Sequence, residues 1–394
     1  MTDRFSETYG FARRDVTLAS WRLPPFTRFS FQNVAELVPS ARIEAVREEV
    51  ETPVESAAFL ASPAGVAGEA AATVQAYLED TFTDSFVLMK DGRIVAEYYA
   101  PWSGPNAPHL VFSISKSLTA TLLGILEGLG LFDPALPVSH YIPEAKDSAY
   151  GDCSCRNVLD MRVSLDFEEA YLDPDGSFAR YRRAMLWNPP EPGAIIEPLL
   201  DFLCSLKKKP GEDHGGPFYY VSPNADVLGL LVERASGKRY AEAMSELLWR
   251  PLGAKNHAMI TVDSVGTPRS AGGVSVTARD LARVGELVRT GGKVGGVQVL
   301  PQSWIADMFE NGDPEAWKPN GDALITKGRY RSQWYQFGEP EGVFCAIGIH
   351  GQWLYVDRAS GTVLVKQSSQ PNPLDEGLKA RNLAFYRAMA ERNF

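Results

Sequence analysis

The sequence predicts an α+β fold: an antiparallel β-sheet flanked by helices, with a mainly helical domain inserted between its two parts. Three observations lead there. β-Prone runs lie near both ends, at 85–99 and beyond 330, and helical patterns fill the middle. At 394 residues and 45% hydrophobic content, the chain also exceeds the size at which one core stops growing. The expected division is 1–132 with 269–394 as the sheet domain and 133–268 as the helical domain.

Residues 1 to about 70 mix Pro, aromatic and small residues without sustained periodicity, including Pro24-Pro25-Phe26 and the small-residue run 57–72, and read as an extended wrapping arm. A helical pattern covers Val74 to Phe82. Ser85 to Lys90 and Arg93 to Tyr99 are β-prone runs around Asp91-Gly92, the signature of a hairpin. After a Pro/Gly loop, residues 113–129 form an apolar helix stopped by Gly128, Gly130 and Pro134. Helical patterns follow at Glu197 to Leu206, Ala225 to Ala235 and Tyr240 to Leu248, with a loop holding Tyr171, Arg182 and Trp187. Two more helices span Thr277 to Arg289 and Gln302 to Phe309. Ser332 to Phe337, Phe344 to His350, Gln352 to Asp357 and Thr362 to Lys366 read as strands, and Glu376 to Arg392 as a last helix.

Composition excludes several functions. A formal charge of −10, with only short basic clusters at 180–183 and 207–209, argues against a nucleic-acid partner. The best apolar stretch, Leu118 to Phe132, is interrupted by Glu127 and glycines and is shorter than the roughly 20 residues of a membrane span. The charged N-terminal residues lack a signal peptide's apolar run, so a cytoplasmic location without membrane association is expected. Four cysteines read as reduced thiols and five scattered histidines offer no metal constellation, so neither metal nor cofactor is expected. Self-association as a homodimer is compatible with the sequence and not required by it.

Three segments can carry chemistry. Ser113-Ile-Ser-Lys116 opens a helix, and its spacing puts hydroxyl and amine on one face. The helix N-terminus favours a developing alkoxide and repels an ammonium, so the lysine can serve as a neutral base. Ser205-Leu-Lys-Lys208 has the same pattern but ends its helix, where the dipole has the wrong sign. Tyr220-Val-Ser222-Pro-Asn224 enters another helix; a tyrosine beside a cationic lysine can lose its proton more easily, and the two then act as one coupled base. Alternatively the tyrosine packs and Ser222 or Asn224 caps the helix. Gly348-Ile349-His350-Gly351 lies in a strand whose glycines suit a close approach to ligand, or only a bulge with His350 packed.

The order of these segments resembles the serine β-lactamase and penicillin-binding superfamily, in its class C-like branch with the family VIII carboxylesterases and the 6-aminohexanoate-dimer hydrolases. Phrases such as Ser113-Ile-Ser-Lys-Ser-Leu, Asn224-Ala-Asp-Val-Leu and Gly348-Ile-His-Gly-Gln look most like the dimer hydrolases. The resemblance covers about residues 80–390 and implies a β-lactamase/transpeptidase-like fold. It further implies Ser113 as nucleophile, Lys116 with Tyr220 as base, and the amides of Ile349 and Ser113 as an oxyanion hole. Ser222 and His350 would stand near the substrate, and Tyr171 and Trp187 would line the acyl cleft as a mobile lid.

Two departures shape the expected substrate. The Lys-Thr-Gly motif is missing at 348–351 and Ser-Asp-Asn is replaced by Tyr220-Val-Ser222, which argues against β-lactam hydrolysis. Arg180, Arg182 and Arg183 follow Tyr171, and Ala271 precedes Gly272, whereas the resemblance to the dimer hydrolases implies Asp and Asn at 182 and 271. A serine carboxylesterase of short, small-molecule esters is therefore expected. The alternatives are an amide hydrolase of the dimer-hydrolase type and a binding protein that acylates without turnover.

Overall fold

The computed structural model describes residues 4–66, 72–170 and 176–394. Its frame is a seven-stranded antiparallel sheet, in the order Arg93–Tyr99, Thr83–Lys90, Thr362–Ser368, Gln352–Asp357, Val343–Gly348, Trp334–Gln336 and Arg329–Arg331. Both ends of the chain thus share one sheet, as expected. The two ends meet where Thr83–Lys90 pairs with Thr362–Ser368. In the adjoining hairpin Asp91 and Gly92 both take positive φ, 46° and 78°, as a two-residue turn matched to strand twist requires.

Strand alternation divides the core. Val87, Met89, Val363 and Val365 face one hydrophobic cluster, whereas Phe86, Leu88 and Leu364 face another. On the first side lies the helix Ala278–Arg289, where Gly285 has no room for a side chain: a Cβ would stand 2.5 Å from Val363 Cγ1. On the other, the helix Glu376–Ala390 sets Phe385 on Tyr77 at 4.4 Å between centroids and Tyr386 on Trp353 at 5.3 Å. The helix Ile114–Gly128 is buried from Ile114 to Leu126 and packs against the helix Ser222–Ser236.

Several local expectations change. Residues 1–70 are no featureless arm: they include short helices and the strand Ser40–Ile43, which edges a second, four-stranded sheet with Ala258–Thr261, Val274–Val276 and His109–Leu110. Ser332 to Phe337 is not one strand. Ser332 and Gln333 take positive φ, 49° and 64°, and form a turn held by the Ser332 amide donating to Asp160 Oδ1 and by Arg156 donating to the Ser332 hydroxyl. Arg180, Arg182 and Arg183 belong to a helix, Ser177–Ala184, not to a loop. All four cysteines are free thiols. Among the described residues no helix is long and apolar enough to cross a membrane.

Candidate active site

Ser113 stands at the entrance of the helix Ile114–Gly128, directly after Phe112, whose φ of 45° is strained for a bulky residue. The kink turns the serine out of the strand His109–Leu110 and into the helix. Three residues on, Lys116 is 1% exposed. Its Nζ lies 3.0 Å from Ser113 Oγ, 3.2 Å from Ser222 Oγ and 2.6 Å from the Ala271 carbonyl. Burial lowers the Lys116 pKa to about 7; the Glu169 carboxylate opposes that shift and Arg269 adds to it. Desolvation is the leading cause.

Tyr220 shifts opposite to expectation. Burial, reinforced by Glu169, raises its pKa, and contacts with Ser113 and Tyr335 only partly offset the rise. Lys116 Nζ lies 5.1 Å from the Tyr220 ring centroid, so the amine faces the ring. The site thus combines an easily neutralised amine with a phenol that keeps its proton.

Across from Ser113, Gly348 ends its strand against the preceding segment: a Cβ there would stand 2.5 Å from the Val111 carbonyl oxygen. Only glycine permits that approach, and it brings the Ile349 backbone beside Ser113. Among the described residues, neither the Ser113 nor the Ile349 amide donates a hydrogen bond. Two such donors beside the Ser113 hydroxyl are what a tetrahedral oxyanion formed there would require.

A cavity of ≈ 330 Å³ is lined by Ser113, Ser222, Trp187, Ile349 and His350 together with Arg22 and Arg182. A second, of ≈ 220 Å³, leaves Ser113 on the side of Tyr220, Tyr335 and Trp353. Trp187 forms a buried wall of the first cavity, donating to Thr261 Oγ1 at 3.2 Å and packing edge-on against Trp21 at 5.3 Å. His350 is also buried, its Nδ1 donating to the Gln370 carbonyl at 2.7 Å; burial lowers its pKa to about 4, so it stays neutral. Tyr171 lies outside the described residues. Ser205 ends its helix, donates to the Phe202 carbonyl and accepts from exposed, Glu197-paired Arg180, while Lys208 turns to Asp152.

Sequence reasoning missed the residues behind Lys116. Glu169 accepts from the Ser222 amide at 2.5 Å and hydroxyl at 2.8 Å. Asp226 pairs with Arg269 at 2.6 Å and accepts from the Ala271 amide at 2.7 Å, fixing the carbonyl that receives the Lys116 amine. Asp226 follows Ser222 by four residues, so helical spacing could have placed both on one face. Nothing local marks Arg22 or Glu169.

The family described as Beta-lactamase matches residues 70–388. The chain belongs to the beta-lactamase family. A 6-aminohexanoate-dimer hydrolase of Paenarthrobacter ureafaciens is 38% identical over 369 residues, covering 92% of this chain and 91% of that relative. Among solved structures, a Bacillus anthracis protein provisionally named a 6-aminohexanoate-dimer hydrolase superposes with a TM-score of 0.86 at 25% identity, covering 96% of this chain and 97% of that one. A family VIII carboxylesterase gives 0.56 at 18% identity, covering 79% and 95%, a likeness of fold alone. The chain is a serine hydrolase with the beta-lactamase fold.

Proposed function

We propose that this serine hydrolase cleaves short carboxylic esters through an acyl-enzyme on Ser113. The observation that carries the reading is the 3.0 Å contact between Ser113 Oγ and a buried Lys116 amine whose pKa falls to about 7. In its neutral form that amine takes the serine proton as Oγ attacks the acyl carbon. The Ser113 and Ile349 amides receive the oxyanion. The proton passes to the departing alkoxide from Lys116 or through the Tyr220 hydroxyl, and water then releases the acid by the same route in reverse.

Preference for esters over ammonium-bearing amides is supported by the cavity's charges: Arg22, Arg182 and Arg269 line it against Glu169. An amide hydrolase is the second reading, favoured by the 38% identity to a 6-aminohexanoate-dimer hydrolase. The test is kcat/KM for p-nitrophenyl butyrate, nitrocefin and a linear aminoacyl amide, with wild type, Ser113→Ala and Ser205→Ala. We expect turnover chiefly of the ester, abolished in Ser113→Ala and near wild type in Ser205→Ala. Equal residual activity in the two variants would remove Ser113 as nucleophile; faster cleavage of the amide would replace the ester reading.

A further inference from the structure

The cavity that Arg22 lines has charged wall residues that the chemistry at Ser113 does not use, Arg22 and Arg182. Arg22 lines it from the N-terminal segment, far in sequence from every catalytic motif. It donates to the Asn188 side-chain carbonyl and its guanidinium lies 5.2 Å from the Trp21 ring centroid. Among the described residues it forms no ion pair. The charged groups that act on it most are two further guanidiniums, Arg182 and Arg269, and both, with burial, disfavour its charge. The other charges of the cavity are differently placed: Arg269 is neutralised by Asp226 at 2.6 Å and Glu169 is occupied by Ser222. A partly buried guanidinium held next to other cations, with no carboxylate paired to it among the described residues, is an unfavourable arrangement in the free protein. An anion arriving in the cavity would relieve it, and the planar fork of arginine fits a carboxylate with two parallel hydrogen bonds.

Resting on the Ser113 acyl-enzyme reading above, we propose that the Arg22 end of this cavity is a carboxylate subsite, so that the preferred substrates are half-esters of dicarboxylic acids. The acyl carbon sits at Ser113 and the free carboxylate at Arg22, with the apolar walls Phe112, Phe178, Met185 and Trp187 flanking the methylenes between. Hydrolysis adds the oxygen of water to the acyl carbon, breaks the acyl–oxygen bond and protonates the leaving alkoxide, giving a dicarboxylate and an alcohol. The subsite selects the opposite charge to an ammonium-ended acyl chain.

The experiment compares mono-p-nitrophenyl glutarate with its methyl-capped, neutral diester, corrected for uncatalysed hydrolysis, and measures glutarate binding by calorimetry. In wild type the anionic ester should be preferred in kcat/KM by about tenfold or more, the scale of one charge-assisted pair. The preference should shrink as salt rises, collapse in Arg22→Gln and survive in part in Arg22→Lys. Glutarate should bind wild type and not Arg22→Gln. Ester turnover without charge preference, or a preference that Arg22→Gln retains, overturns the subsite and leaves the ester reading standing. Glutarate bound at an Arg22-dependent site with no ester cleaved does the reverse, and absence of both overturns both. If Arg22→Gln does not fold, the wild-type ratio and its calorimetry decide.

Discussion

The chemistry of the site turns on where one proton sits. In the proposed mechanism Lys116 accepts from Ser113 only as a neutral amine, and its pKa near 7 lies below that of an ordinary lysine because burial penalises the ammonium. The kcat/KM profile should therefore rise with pH through about 7 and level off above it. Glu169 favours the charged amine, so Glu169→Gln should lower the Lys116 pKa further and move the rising limb to more acid pH. A limb that stays fixed or moves upward in that variant would detach the limb from Lys116. Tyr220 keeps its proton, which in that mechanism suits it to relay a proton beside the Lys116 amine. Removing Lys116, Tyr220 or both should then cost nearly the same activity; additive losses in the double-mutant cycle would mean that the two act separately. At this scale the sequence was legible for Ser113, Lys116, Tyr220 and Ser222, because spacing on a helix or at its start fixes a side chain's neighbours. It was silent on Arg22 and Glu169, which reach the site through tertiary packing.

At the scale of elements, what matters is how closely the strand end at Gly348 meets the segment 111–113. A Cβ at 348 would press on the Val111 carbonyl at 2.5 Å, and that backbone is already committed to the strained Phe112 turn. Gly348→Ala should push the Ile349 amide away from Ser113. A displacement of about 1 Å at a reacting centre can cost 100-fold in rate, so we expect a loss of that order in kcat with substrate binding less affected. Near-wild-type kcat in a folded Gly348→Ala protein would remove the Ile349 amide from the oxyanion site. The glycines at 348 and 351 were visible as strand-weakening residues, and their association with a ligand-facing edge could be reasoned from sequence. The turn at Ser332 and Gln333 could not: neither residue announces a positive φ, and the partners that hold it, Arg156 and Asp160, lie more than 170 residues away.

For the whole molecule, the N-terminal segment is the part that periodicity least revealed, yet it is built into the fold. Trp21 packs edge-on against Trp187, its Nε1 donates to the Trp187 carbonyl at 3.1 Å, and Ser40–Ile43 pairs with Ala258–Thr261. Short helices and one edge strand produce no sustained pattern, so the segment read as a wrapping arm. Removing residues 1–43 should lower Tm and reduce ester turnover; a truncated protein with unchanged Tm and activity would show that the segment is dispensable. The sheet was legible where its strands are β-rich, at 83–99 and 343–368, and not at its far edge, where Arg329–Arg331 is three residues long. It also imposes an order of events at birth. Thr83–Lys90 finds its partner only when Thr362–Ser368 has been synthesised. Until then the first hairpin has an open strand edge and half a core. Pairing across so long a separation makes folding slow, so the nascent chain's exposure to wrong partners is set by the time a ribosome takes to reach residue 368.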